Sequence, residues 1–245
     1  MTPRPNPSRR GLIWAAVGAL VLVLGIVAVI VGSVVSQSPP SPAPSGNPSE
    51  GSRIPTPTIA EPDGEVVDPT AEDRGWTPEP ITTDAETYIR AALAAASTFD
   101  TTKATRDEWL EYLDSWFTPD TRYGETDRPA RMKAAQLELR QGVVLPQQDW
   151  DSLAGEDGRV VAAAAGEVEF VPVTEDPSGD MSIGTADVAL VFTRSDGGDG
   201  AASYEESVRV SVQVLCGEGS VPTPDSAQTV GDCKVVRYFT EPLEP

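Results

Sequence analysis

An α+β domain, carried behind one membrane-spanning helix and a Pro-rich linker, is the architecture this sequence predicts. Three observations predict it. Leu12 to Val35 is an apolar run without a charged residue. Apolar residues at helical spacing fill the stretch from Ile81 to Gly142. Beyond that the pattern becomes alternation, the period of strands with one buried face. Helices first and strands after them is the order of helices packed on one face of a curved antiparallel sheet.

The apolar run comes first. As a helix at about 1.5 Å per residue it spans about 36 Å, enough to cross a hydrocarbon core of about 30 Å with some tilt. The apolar core of an export signal is shorter, roughly 7–15 residues. A permanent anchor over residues 12–35 is therefore expected, and the small-residue site at Val34 and Ser36 keeps cleavage as the alternative. Arg4, Arg9 and Arg10 precede the run, and no positive charge follows it until Arg53. The positive-inside rule then places residues 1–11 in the cytoplasm and the C-terminal domain outside the cell membrane. Gly11, Gly18, Gly25 and Gly32 recur every seven residues and fall near one helix face. Small residues there let another helix approach closely, although glycine is also simply common in membrane helices.

Residues 36–80 are rich in Pro, Ser, Thr and Gly, as in "QSPPSPAPSGNPSEGS". Such a composition buries too little apolar surface to offset its ordering entropy, so a disordered linker is expected. Proline stiffens it towards polyproline II, which suits a spacer.

The domain is expected over residues 81–245. Thr83 with Glu86 has the capping-box spacing before "DAETYIRAALAAASTF", where Ile89, Leu93 and Ala96 form a stripe that Phe99 closes. Thr105 with Glu108 repeats that spacing before "RDEWLEYLDSWF". There Trp109, Leu110, Leu113, Trp116 and Phe117 make a broad apolar face, which reads as core. "TPDTRYGETDRP" reads as a turn, and a third helix follows Asp127 and stops at Gly142. Four strands are expected after it. "RVVAAAAGEVEFVPV" is the first. In "SIGTADVALVFTR", Ala186, Val188, Leu190 and Phe192 share a face. In "YEESVRVSVQVLC", Val208, Val210, Val212 and Val214 alternate with Ser207, Arg209, Ser211 and Gln213. "KVVRYFT" is the last, and the turn-rich "RSDGGDGAAS" makes a hairpin of the second and third. Cys216 ends one strand and Cys233 precedes the next; outside the cell a disulfide between them is the leading reading, two free thiols the other.

Charge and composition exclude several functions. The chain has 38 acidic and 18 basic residues and no histidine. All the acids lie beyond residue 49, so the part after the anchor is strongly negative and is not expected to bind nucleic acid directly. Solubility accounts for this surface; a basic partner or weak divalent-cation binding are the functional alternatives. Without histidine the commonest general base, metal ligand and nucleophile systems are missing. "SDGGDG" and "DWDSLAGEDG" lack the ligand spacing of a calcium loop and read as turns. A pocket of carboxylates and tyrosines, with Tyr88, Tyr112, Tyr123 or Asp187 as candidates, is what remains for an enzyme. No enzyme, cofactor or metal site is expected.

The layout resembles the single-pass assembly proteins of bacterial conjugation and type IV secretion machines, nearest in their Gram-positive and actinobacterial versions. "RDEWLEYLDSWFTPDTRYG" is similar to the helix region of that group, and "SVRVSVQVLC" to one of its strands. The resemblance covers most of the chain by layout and rests on no diagnostic motif. It implies a nuclear-transport-factor-2-like ectodomain and a non-enzymatic scaffold. It also implies contacts with other subunits of a membrane complex or with further copies of the chain. Accessory proteins of actinobacterial lipid-import systems share this layout, which makes a ligand-binding or lipid-transport module the alternative.

Overall fold

The computed structural model describes residues 64–195 and 200–243. The expected cytoplasmic tail and anchor, with Gly11, Gly18, Gly25 and Gly32, lie outside the described residues. Among those that are described, no helix is long and apolar enough to cross a membrane.

Four helices precede the long strands: α1 (Ala85–Ala95), α2 (Arg106–Ser115), α3 (Arg128–Gly142) and α4 (Gln147–Ala154). The start of α1 differs from expectation. Asp84, not Thr83, is the cap, and its carboxylate accepts the Thr87 N–H at 2.8 Å. Glu86 is thereby free to pair with Arg90 one turn on. In α2 the expected capping box of Thr105 and Glu108 is formed. Phe99 does not close a helical stripe; with Asp100 it forms the two-residue strand β1. α4 occupies part of "DWDSLAGEDG", where only turns were expected. Its Trp150 and Leu153, one turn apart, are buried and hold it to the core.

The sheet runs in the order β1-β2-β3-β4-β5, all neighbours antiparallel, with β2 at Arg159–Pro172, β3 at Met181–Ser195, β4 at Ala201–Leu215 and β5 at Lys234–Phe239. Bulges interrupt the register between Ala165 and Glu169 and between Gln213 and Val214, and bulges bend a strand. Gly166 sits in the first bulge at φ +68, and Arg90 of α1 donates to its carbonyl. The resulting helices-on-curled-sheet architecture is α+β, as the sequence predicts.

One sheet face packs under the helices. Ala186, Val188, Leu190 and Phe192 of β3 are all buried there, as their alternation requires. β4 departs from its simple reading. Val212 and Val214 are buried, whereas Val208 is 38% exposed and Ser211 and Gln213 are buried on the opposite face. A second apolar cluster of Val173, Met181, Ile183, Leu215 and Val236, joined by Phe239 and Leu243, lies apart from the main core. Gln213 is tolerated there by Met181 and Arg122, Ser211 by the chain end. Thr185 donates to the Leu243 carbonyl at 2.8 Å, so Ser211 donates to Thr185 and accepts the Leu243 N–H.

The spacer was expected to reach residue 80, yet residues 64–80 pack into the domain. They fold back on themselves through a bridge between Val66 and Pro80 and a short 3-10 turn at Glu72–Arg74. Ala71, Trp76 and Glu79 of this stem are buried.

Candidate functional site

The interior beneath the helices is filled by aromatic rings. Trp109, Trp116, Tyr88, Tyr238 and Phe99 are all at most 2% exposed. Phe99 lies 4.2 Å from Trp150 and 5.0 Å from Trp109 between ring centroids, and Tyr88 lies 5.8 Å from Trp116. These distances are those of rings in contact, so side chains occupy the space where a ligand would sit.

A polar cluster is buried beside them. Glu79, at the end of the stem, is fully buried and meets Lys234, the first residue of β5, at 2.8 Å. Lys234 Nζ also donates to the Ser115 carbonyl at 2.8 Å and to Thr223 Oγ1 at 2.6 Å. The Thr223 hydroxyl gives its own proton to Ser115 O, so towards Nζ it accepts. These three close acceptors match the three N–H bonds of an ammonium group, and Gln228 Oε1 lies farther off at 3.4 Å. Glu79 Oε1 in turn accepts from Tyr88 at 2.6 Å, Gln228 at 3.2 Å and Lys234. Glu79 Oε2 is buried with no hydrogen-bond partner. Burial pushes the Glu79 carboxyl up and Lys234 down, and each charge opposes the shift of the other. The ion pair and the hydrogen bonds around the two groups oppose that burial and favour their charged forms. Burial next to Glu79 raises the Tyr88 and Tyr112 hydroxyls, so both stay protonated donors.

Of the expected site residues, Tyr88 and Tyr112 both meet Glu79, Tyr88 at its carboxylate and Tyr112 at its backbone N–H. Tyr112 donates to the Thr77 carbonyl at 2.8 Å, accepts the Glu79 N–H and stacks on Trp76 at 4.9 Å. Tyr123 and Asp187 are elsewhere: Tyr123 lies under Arg131, and Asp187 faces Arg209. The cluster ties the stem, α1, the end of α2, the disulfide loop and β5 together. Cys216 and Cys233 are bonded, and the loop they close supplies Thr223 and Gln228. Among the described residues no group of three or more Cys, Asp or Glu gathers as a metal site.

Several surface grooves cut the described residues, and two of them bear on this interior. One of about 310 Å³ runs between the α3–α4 connection and the sheet, lined by Val144, Val160, Leu190, Phe192 and Val208, with Glu206 as its acid. Ligand pockets run from about 300 to 1,000 Å³, so it stands at the lower limit. The other, about 530 Å³, opens between residues 101–108 and the start of α4 and is lined largely by polar chains.

No family model matches the chain, and no curated protein matches it. Two solved structures are similar to it. One is an IcmL-like type IV secretion system protein of Legionella pneumophila strain Philadelphia 1. It is 13% identical, covering 64% of this chain and 88% of that one, with a TM-score of 0.37. The other is CagV, a VirB8 homolog of a type IV secretion system of Helicobacter pylori strain 26695. It is 14% identical, covering 54% and 78%, with a TM-score of 0.29. At such scores neither likeness fixes a function or a partner.

Proposed function

We propose that the chain is a membrane-anchored, non-enzymatic scaffold subunit of a conjugative or type IV secretion-like envelope complex. Its helix over residues 12–35 stays in the cell membrane and holds the acidic domain outside. One observation carries the choice of a scaffold over a carrier or an enzyme. The space between helices and sheet is packed with Trp109, Trp116, Phe99 and Tyr88, and the polar cluster beside it is sealed. A domain built this way offers its surface to partners. The anchor expected from the sequence and the layout resemblance supply the setting. The groove with Phe192 and Val208 favours the second reading, a ligand-binding or lipid-transport accessory module.

Chemical crosslinking in intact cells, followed by purification of the chain from membranes, separates the two. A scaffold retains channel subunits or further copies of itself in fixed proportion. A carrier comes out alone with lipid in its groove, and that result overturns the proposal.

A further inference from the structure

We infer that residues 64–82 form a releasable strap, latched to the domain by the Glu79–Lys234 pair and locked by the loop that Cys216–Cys233 closes. The strap is self-contained. Val67 N–H donates to the Glu79 carbonyl at 2.9 Å and Ile81 N–H to the Glu65 carbonyl at 2.8 Å, so its own pairing does not need the domain. It docks through apolar burial and through polar contacts: Ala71 and Trp76 lie in the main core, and Gly75 packs against Asp100. Trp76 stacks on Tyr112, whose hydroxyl also binds the strap backbone at Thr77 and Glu79. The other side-chain hydrogen bonds converge on the Glu79 carboxylate, from Tyr88, Gln228 and Lys234. One backbone bond, from Cys233 N–H to the Thr82 carbonyl at 2.8 Å, ties the strap directly to the disulfide.

The physics of that carboxylate makes the contact a latch rather than a glue. A buried ion pair gains little over apolar packing, because both ions lose their hydration, but losing one partner is strongly unfavourable. Here the docked state also leaves Glu79 Oε2 buried and unpaired. Undocking returns both charges and that oxygen to water. Undocking also uncovers Ala71 and Trp76, so the state of the pair decides how readily the strap releases. The closed loop opposes release, since it holds Thr223 and Gln228 against Lys234. A released strap lengthens whatever precedes the domain by residues 64–80, roughly 50 Å when extended. That consequence for reach rests on the anchor proposed above; the latch does not.

Hydrogen exchange on the full chain in detergent micelles tests this. In the wild-type protein, peptides carrying Val67 and Ile81 are expected to exchange at least tenfold faster than those from β3, in one cooperative step. Lys234→Met, and separately reduction of the wild-type disulfide with a phosphine, are each expected to speed strap exchange at least tenfold further. β3 and α2 peptides should change less than threefold. Glu79→Gln with Lys234→Met, which removes both charges, is expected to return strap exchange to within threefold of wild type. Equal protection of strap and β3 in the wild-type protein overturns the inference without any variant. So does a parallel rise in strap and β3 exchange after reduction.

Discussion

Replacing Lys234 by methionine removes the ammonium and leaves the Glu79 carboxylate in a site from which water is excluded. At 2.8 Å and an effective dielectric constant of about 20, the gross attraction of the pair is about 6 kcal/mol. The desolvation penalty, several kcal/mol per ion, is of the same size, so the intact pair contributes little net stability. In the single variant the attraction disappears while the penalty on Glu79 stays, and Ser115 O and Thr223 lose their donor. The expected loss is about 3–5 kcal/mol. For a domain of this size that corresponds to a fall in Tm of roughly 6–20 °C. Glu79→Gln combined with Lys234→Met removes both penalties and should lie within about 1 kcal/mol of wild type. The assay is urea denaturation of the full chain in detergent, followed by tryptophan fluorescence, run as a double-mutant cycle. A single variant within about 1 kcal/mol of wild type refutes the reasoning. A double variant no better than the single refutes it too.

Three further outcomes are expected. Trp109→Ala empties a site in contact with Phe99 and Trp150 and should cost about 3–5 kcal/mol in the same denaturation assay. Joint replacement of Cys216 and Cys233 by serine frees the loop between them and should cost about 3 kcal/mol of chain entropy, read from the urea midpoint. Asp84→Ala removes the α1 cap and should cost about 1 kcal/mol at neutral pH. The Thr87 hydrogen bonds hold the Asp84 carboxyl below its usual value, so its contribution is present at neutral pH. It is lost as the pH falls through that depressed value, and stability curves of wild type and variant should converge there.

Much of the fold is legible in local pattern. β3 shows its buried face directly, because Ala186, Val188, Leu190 and Phe192 meet one continuous core. α2 is legible because its cap and its apolar stripe lie within one short segment. What escapes the sequence depends on distant contacts. Ser211 and Gln213 read as a solvent face, but the returning chain end meets Ser211 and distant Met181 and Arg122 meet Gln213. The stem reads as spacer because its prolines and acids outweigh one tryptophan. Trp76 and Glu79 find their partners at Tyr112 and Lys234, far along the chain. A lone large aromatic in a Pro-rich segment, and a lysine between a cysteine and two valines, are the signals that were there to find. α4 is short and acidic, and only two of its residues reach the core. The polar cluster joins positions 79, 88, 223, 228 and 234, a constellation with no motif in sequence order.

The most direct measurement for the anchored scaffold is a fractionation of crosslinked cells with mass analysis of the mature chain. The proposal predicts an intact N-terminus carrying residues 1–35, in the membrane fraction, crosslinked to other envelope-complex subunits or to itself. A chain released into the medium and beginning near residue 36, or an intact chain with no protein partner, contradicts it.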